Sequence, residues 1–175
     1  MDLGPVDRIT AGAVGEPGFR TFFLQARGGD ELVTVVVEKQ QVQLLASSIL
    51  ELLADLELET GTGPADDQMD LEEPVDARWR AGKLSIGYDH DRELFVLEIE
   101  ESVAEPEDDE AELPPRREAE PAVVQLAATR EQMFALSRYG AAVVERGRPS
   151  CQFCGNPIDP EGHACPAMNG HSARD

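Results

Sequence analysis

The chain has 175 residues, 41% of them apolar and only 5% aromatic, and 15 basic against 35 acidic side chains give it a formal net charge of −20 and a pI near 4.3. That length holds one domain of ordinary size plus appendages. The acid excess opposes binding to nucleic-acid phosphates or anionic lipid surfaces, since a nucleic-acid binder needs a basic stripe to release counterions; a basic protein partner or a small ligand fits the composition better. The opening "MDLGPVDRIT" lacks the layout of a signal peptide and no apolar run approaches the ~20 residues needed to span a membrane, so a cytoplasmic location is expected. Thiols stay reduced there. Three cysteines, all between positions 151 and 165, therefore point to metal binding and away from a disulfide framework.

Residues 9–14 are expected to form a first strand, turned by "GEPG" (15–18). Phe22, Leu24 and Ala26 alternate with Phe23 and Gln25, then Gly28-Gly29-Asp30 turns the chain into "ELVTVVVE", a hairpin signal. From Gln41 the period changes: Val42, Leu45, Ala46, Ile49, Leu52, Leu53 and Leu56 follow spacings of three and four, the apolar stripe of a helix. The stretch 59–76, "ETGTGPADDQMDLEEPVD", is acidic and carries proline, and reads as a solvated linker. Leu84, Ile86 and Tyr88 begin a second hairpin that returns through "ELFVLEIE". A second acidic linker is expected over 104–121. "AVVQLAA" then forms a short strand, and Thr129-x-x-Gln132 has the form of a capping box opening a helix that buries Met133, Leu136, Val143 and Val144. Gly147 and Pro149 stop it.

"VTVVVEKQQVQLLASSILELLA" can be laid onto "VQLAATREQMFALSRYGAAVVE" with Val33 on Val124, Val35 on Leu126, Lys39 on Arg130, Gln41 on Gln132 and Leu45 on Leu136. Either a β-β-β-α unit is duplicated or two unrelated strand–helix pairs align this well by chance. Both readings give an α+β fold in two layers, with about six mostly antiparallel strands in one sheet and two helices on one face. The domain should occupy 1–147 and a metal-binding tail 148–175.

The tail, "CQFCGNPIDPEGHACPAMNGH", pairs Cys151-x-x-Cys154-Gly with His163-x-Cys165. Two thiolates two residues apart can address one ion, and the following glycine permits the turn that aims amides at the sulfurs. Cys151, Cys154, His163 and Cys165 make a complete tetrahedral Cys₃His shell for a structural Zn²⁺, because a catalytic zinc keeps one position open for water. His171 is an alternative to His163, and a redox role for the cysteine pair is a second alternative, although the pair follows a helix instead of leading into one. The zinc deaminase and haem-attachment patterns do not match. With few bulky apolar residues besides Phe153, the tail needs the metal in order to fold.

Elsewhere the sequence offers little chemistry. "GAVGEPG" matches neither glycine-rich phosphate motif. "EKQQ" (38–41) stands where strand becomes helix, so Lys39, Gln40 and Gln41 suit contact with a ligand or partner and suit helix capping equally well. Trp79, the only tryptophan, is expected to pack in the sheet. No serine, cysteine and histidine arrangement for nucleophilic catalysis can be picked out.

"VGEPGFRTFFLQAR", "VEKQQVQLLA" and the cysteine tail, in that order, resemble an uncharacterised actinobacterial family, a domain of unknown function sometimes labelled a repeat protein. The resemblance spans nearly the whole chain, with the acidic middle as its variable part. It implies a shared pathway with a lipid-kinase-like and a histidine-phosphatase-like protein, and no assigned reaction. The sequence thus leads to a non-catalytic binding or adaptor protein with Phe153 in its zinc module as a contact residue. The runner-up is an enzyme or ligand-binding regulator that uses a cleft between the halves.

Overall fold

The protein is described from a computed structural model, which covers residues 1–103, 120–146, 151–155, 158 and 165–166. The fold is α+β, with two helices and seven mostly antiparallel strands in two sheets. The strands are β1 (Asp2–Pro5), β2 (Arg8–Val14), β3 (Thr21–Gly28), β4 (Glu31–Val37), β5 (Ala81–Asp89), β6 (Leu94–Glu101) and β7 (Val123–Ala128). Helix α1 (Lys39–Asp55) follows β4 and α2 (Arg130–Glu145) follows β7. One sheet has the order β2-β3-β4 and the other β1-β7-β6-β5.

The expected single sheet of about six strands is thus divided, and the additional strand has a physical origin. In each half the lead-in to the first strand bends and pairs in parallel with the last strand of the other half. β1 runs beside β7, with Val6 N–H donating to Ala127 O at 2.8 Å. Residues ahead of β5 run beside β4, with Arg78 N–H donating to Thr34 O and Val36 N–H to Trp79 O, both at 2.9 Å. A strand lying along two partners at once must turn between them, so the sheets meet at two seams. Trp79, half-buried against the core, stands at one of them.

The duplication extends to the register. Phe22, Leu24 and Ala26 on β3 stand opposite Val37, Val35 and Val33 on β4; Phe95, Leu97 and Ile99 on β6 stand opposite Ala128, Leu126 and Val124 on β7. All twelve are buried. In both sheets these residues share the face turned toward the helices, which contribute Val42, Leu45 and Ile49 from α1 and Met133, Leu136 and Val143 from α2. The helices meet at matching positions, Ser137 Oγ donating to Ala46 O at 2.7 Å. Each helix also crosses to the opposite half, α2 lying on β2 and α1 against β5.

The stretch 59–76 is not a solvated linker. It runs along α2, where Arg138 pairs with Asp66 at 2.7 Å, and then crosses the outer face of the β2-β3-β4 sheet as a strap. Three polar residues aligned across that sheet, Thr10, Gln25 and Thr34, are at most 2% exposed because the strap covers them. Thr10 Oγ1 donates to Met69 O. Gln25 Nε2 donates to Glu72 O at 3.1 Å while Gln25 Oε1 accepts from Glu72 N at 2.7 Å, so a side-chain amide binds the strap as a neighbouring strand would. Leu71 fills the space above Gly12, where a Cβ would come within 2.5 Å of its Cγ, and Met69 is buried. Composition favoured disorder, but the enthalpy of these specific bonds and the burial of Met69 outweigh it. Of the second expected linker, 104–119 lies outside the described residues.

At the strap's far end Arg8 and Arg27 both grip the Glu72 carboxylate, with Arg8 Nη1 3.2 Å from Oε1 and Arg27 Nε 3.1 Å from Oε2. The hydrogen bond from Arg27 is the main reason that the Glu72 carboxyl is held below its ordinary value of 4.5. A depressed carboxyl contributes stability that is fully present above its unfolded value and disappears as pH falls through its folded value.

Two outcomes are expected. Gln25→Ala leaves Glu72 N–H and the Thr34 hydroxyl without their buried partner, which should lower stability by about 2 kcal/mol, read as a fall of about 4–8 °C in Tm for a chain of this length. In pH-dependent thermal unfolding, Glu72→Gln should flatten the loss of stability that the wild type shows as pH falls below about 4.5; identical curves would show that the pair does not hold the strap.

Candidate metal centre

Beyond α2 the tail brings three sulfurs together. The Sγ atoms of Cys151, Cys154 and Cys165 all lie within 4.8 Å of one another, and Cys151 Sγ stands 3.7 Å from Cys165 Sγ. All three are thiols, none in a disulfide. A tetrahedral ion with Zn–S bonds of about 2.3 Å sets its sulfurs about 3.8 Å apart along each edge, so the 3.7 Å pair has the spacing of two ligands of one ion, and the group as a whole is close enough to hold a metal.

The local backbone explains this grouping. Residues 152–154 turn tightly, Gly155 N–H donates back to Cys151 O at 2.9 Å, and Gly155 adopts φ +73°, a left-handed conformation open to glycine at little steric cost. The turn points main-chain amides at sulfur: Phe153 N–H lies 3.4 Å from Cys151 Sγ. That amide first, and the Cys154 amide next, bring the Cys151 thiol down from 9.0 to about 7. A thiol so placed is readily ionised at neutral pH, the form in which cysteine binds metal. Cys151 is buried, whereas Phe153 projects from the same turn and is 69% exposed.

His163 and His171 lie outside the described residues. Lys39 and Gln40 are exposed at the start of α1, and Gln41 has a structural task. Gln41 Oε1 accepts from Glu38 N at 2.7 Å, completing a capping box, while its Nε2 donates to Gly82 O at 3.0 Å and Ala81 O at 3.3 Å. Of the two roles weighed for "EKQQ", capping is the one Gln41 performs. A groove of about 290 Å³ beside it is lined chiefly by Leu44, Leu45, Leu84 and Ile86. Among the described residues, the group of His, Cys, Asp or Glu side chains close enough to hold a metal is the three cysteines.

A larger groove escaped the sequence reading. It lies between the end of β2, the strap and the last turn of α2, holds about 520 Å³ and brings Arg20 and Arg146 together with Asp70, Glu73 and Tyr139. The two arginines stand far apart in the chain with no motif around them, and the fold brings them to one groove.

No helix among the described residues is long and apolar enough to cross a membrane. Neither a curated protein nor a solved structure matches the chain. A family match does exist, and it extends over residues 1–165, from β1 through the third cysteine, so that the strands, the helices and the sulfur cluster fall within its span. The chain belongs to the family described as "Protein of unknown function (DUF3090)".

Proposed function

We propose that the protein is a cytoplasmic, non-catalytic binding or adaptor protein whose C-terminal module is built around a structural zinc ion. The observation that carries this reading is the clustering of three thiols on a turn that aims amides at sulfur. A sulfur-rich donor set with one pair at the edge spacing of a tetrahedral ion suits zinc among the divalent ions available to a reduced compartment. With His163 as fourth ligand the shell is Cys₃His and closed, which leaves no position for a reacting water and assigns the metal to folding. The chain's own residues then do the remaining work. The glycine at 155 sets the turn, the amides of Phe153 and Cys154 stabilise thiolate charge, and the exposed Phe153 ring presents an aromatic anchor of the kind that concentrates binding energy at protein interfaces.

Zinc content tests the reading directly. Protein purified without added metal should carry about one zinc per chain by elemental analysis. Cys165→Ser should weaken retention by several kcal/mol, out of the roughly 10–16 kcal/mol with which structural zinc sites bind. Absence of zinc, or full retention in the variant, would overturn it.

Chelation provides the second outcome. The apolar stripes of both helices are completed before Cys151, so removal of the metal should leave the far-ultraviolet circular dichroism of the α+β domain nearly unchanged while the tail loses its fixed structure. Phe153→Ala should leave zinc content at one. Collapse of the whole spectrum on chelation would instead make the metal part of the domain core.

A further inference from the structure

The groove between β2, the strap and α2 has the size of a small-ligand site. Val14, Leu71, Val75 and Val143 add apolar side chains to its lining, and its charged groups come from two sides. Arg20 and Arg146 stand on the α2 side. Asp70 and Glu73 stand on the strap, with Asp70 Oδ1 held by the Tyr139 hydroxyl at 2.7 Å.

Acidic side chains outnumber basic ones more than twofold, yet among the described residues neither Arg20 nor Arg146 has a carboxylate within 4.0 Å. Both are nevertheless fixed. The Arg20 guanidinium lies 5.3 Å from the centre of the Phe22 ring and donates through Nη1 to Val143 O at 3.2 Å; the Arg146 guanidinium lies 5.4 Å from the centre of the Tyr139 ring. A guanidinium has five N–H donors, so the single bond from Arg20 to the helix end leaves most of its fork directed elsewhere.

The simplest alternative is that the two cations serve only to complement the carbonyls at the end of α2. The repeat argues against it. Arg20 immediately precedes β3 as Glu93 immediately precedes β6, with Phe22 and Phe95 as the first buried residues that follow. Arg146 follows Val143 and Val144 as Asp55 follows Leu52 and Leu53. Arg20 belongs to the first half and Arg146 to the second, so the equivalent place is the one where α1 lies against β5, and there the corresponding strand start and helix end carry two acids, Glu93 and Asp55. The repeated architecture does not call for cations at these positions, and their presence at one of the two equivalent places marks a local specialisation.

We propose that this groove binds a small carboxylate with an apolar body, held by the guanidinium groups of Arg20 and Arg146. Planar guanidinium forks match a carboxylate in two-bonded geometry. Val14, Leu71, Val75 and Val143 take the apolar body of the ligand, while Asp70 and Glu73 on the strap repel a second negative charge and so select a monoanion.

Benzoate, with neutral benzamide as its control, is a suitable probe on the full-length, metal-loaded protein, followed by two-dimensional NMR titration. Benzoate should bind saturably with Kd of about 1–10 mM, as expected of a fragment of that size, and at least tenfold more tightly than benzamide. Shifts should centre on residues 12–14, 20, 70–75 and 139–146. Arg20→Glu and Arg146→Asp install the residues found at the equivalent positions of the repeat, so both should fold with Tm within a few degrees of wild type; each should weaken benzoate at least tenfold and leave benzamide unchanged. Arg20→Lys should retain part of the affinity. Absence of saturable benzoate binding, equal affinity for benzamide, or unchanged benzoate affinity in the two folded acidic variants would each overturn the proposal.

Discussion

Two glutamine side chains tie the halves of this protein together, and the rest of the architecture follows from how each is used. Gln41 and Gln132 occupy the same position in the first turn of their helices. Each carbonyl oxygen accepts from the backbone N–H of the capping residue, Glu38 or Thr129, and so satisfies one of the donors that a helix leaves open at its start. Each amide nitrogen then reaches into the other half: Gln41 to the carbonyls of Ala81 and Gly82 where β5 begins, and Gln132 to those of Val6 and Asp7 just ahead of β2. One side chain thereby sets both where a helix starts and where the opposite half's first strand lies. Because the arrangement is reciprocal, neither half can form its seam alone, and the parallel pairings at β1–β7 and around Trp79 lie beside these anchors.

Much of this was legible in the sequence. The hairpins, the helices and the α+β class came from periodicity, and the alignment of Val35 with Leu126 and Gln41 with Gln132 gave the duplication that the strand register repeats. What escaped was carried by main-chain atoms. The strap is fixed through Met69 O, Glu72 N and Glu72 O, groups that every residue possesses, so the acidic and glycine-rich composition of 59–76 could not reveal it. The signal lay in the sheet instead: Thr10, Gln25 and Thr34 are polar residues inside strands that are otherwise apolar, and register places them side by side. A polar row across three strands needs hydrogen-bond partners outside the sheet, and the strap supplies them.

The candidate metal site was legible for the opposite reason, since its chemistry resides in side chains at a fixed local spacing. Cys151, Cys154 and Cys165 could be named without knowing the fold, and the turn that gathers them depends on residues within a few positions, Gly155 above all. The groove at Arg20 and Arg146 is non-local. Its cations come from a strand start and a helix end, and only the contrast with Glu93 and Asp55 at the equivalent positions of the repeat separates them from ordinary surface charge.

A closed metal module beside a self-sufficient domain is the central claim, and X-ray absorption at the zinc edge addresses it most directly. A first shell of three sulfurs at about 2.3 Å and one nitrogen at about 2.0–2.1 Å is the result expected of a Cys₃His rivet. A shell that contains an exchangeable oxygen in place of the nitrogen or of a sulfur would mean an open site, and would contradict the assignment of the metal to structure alone.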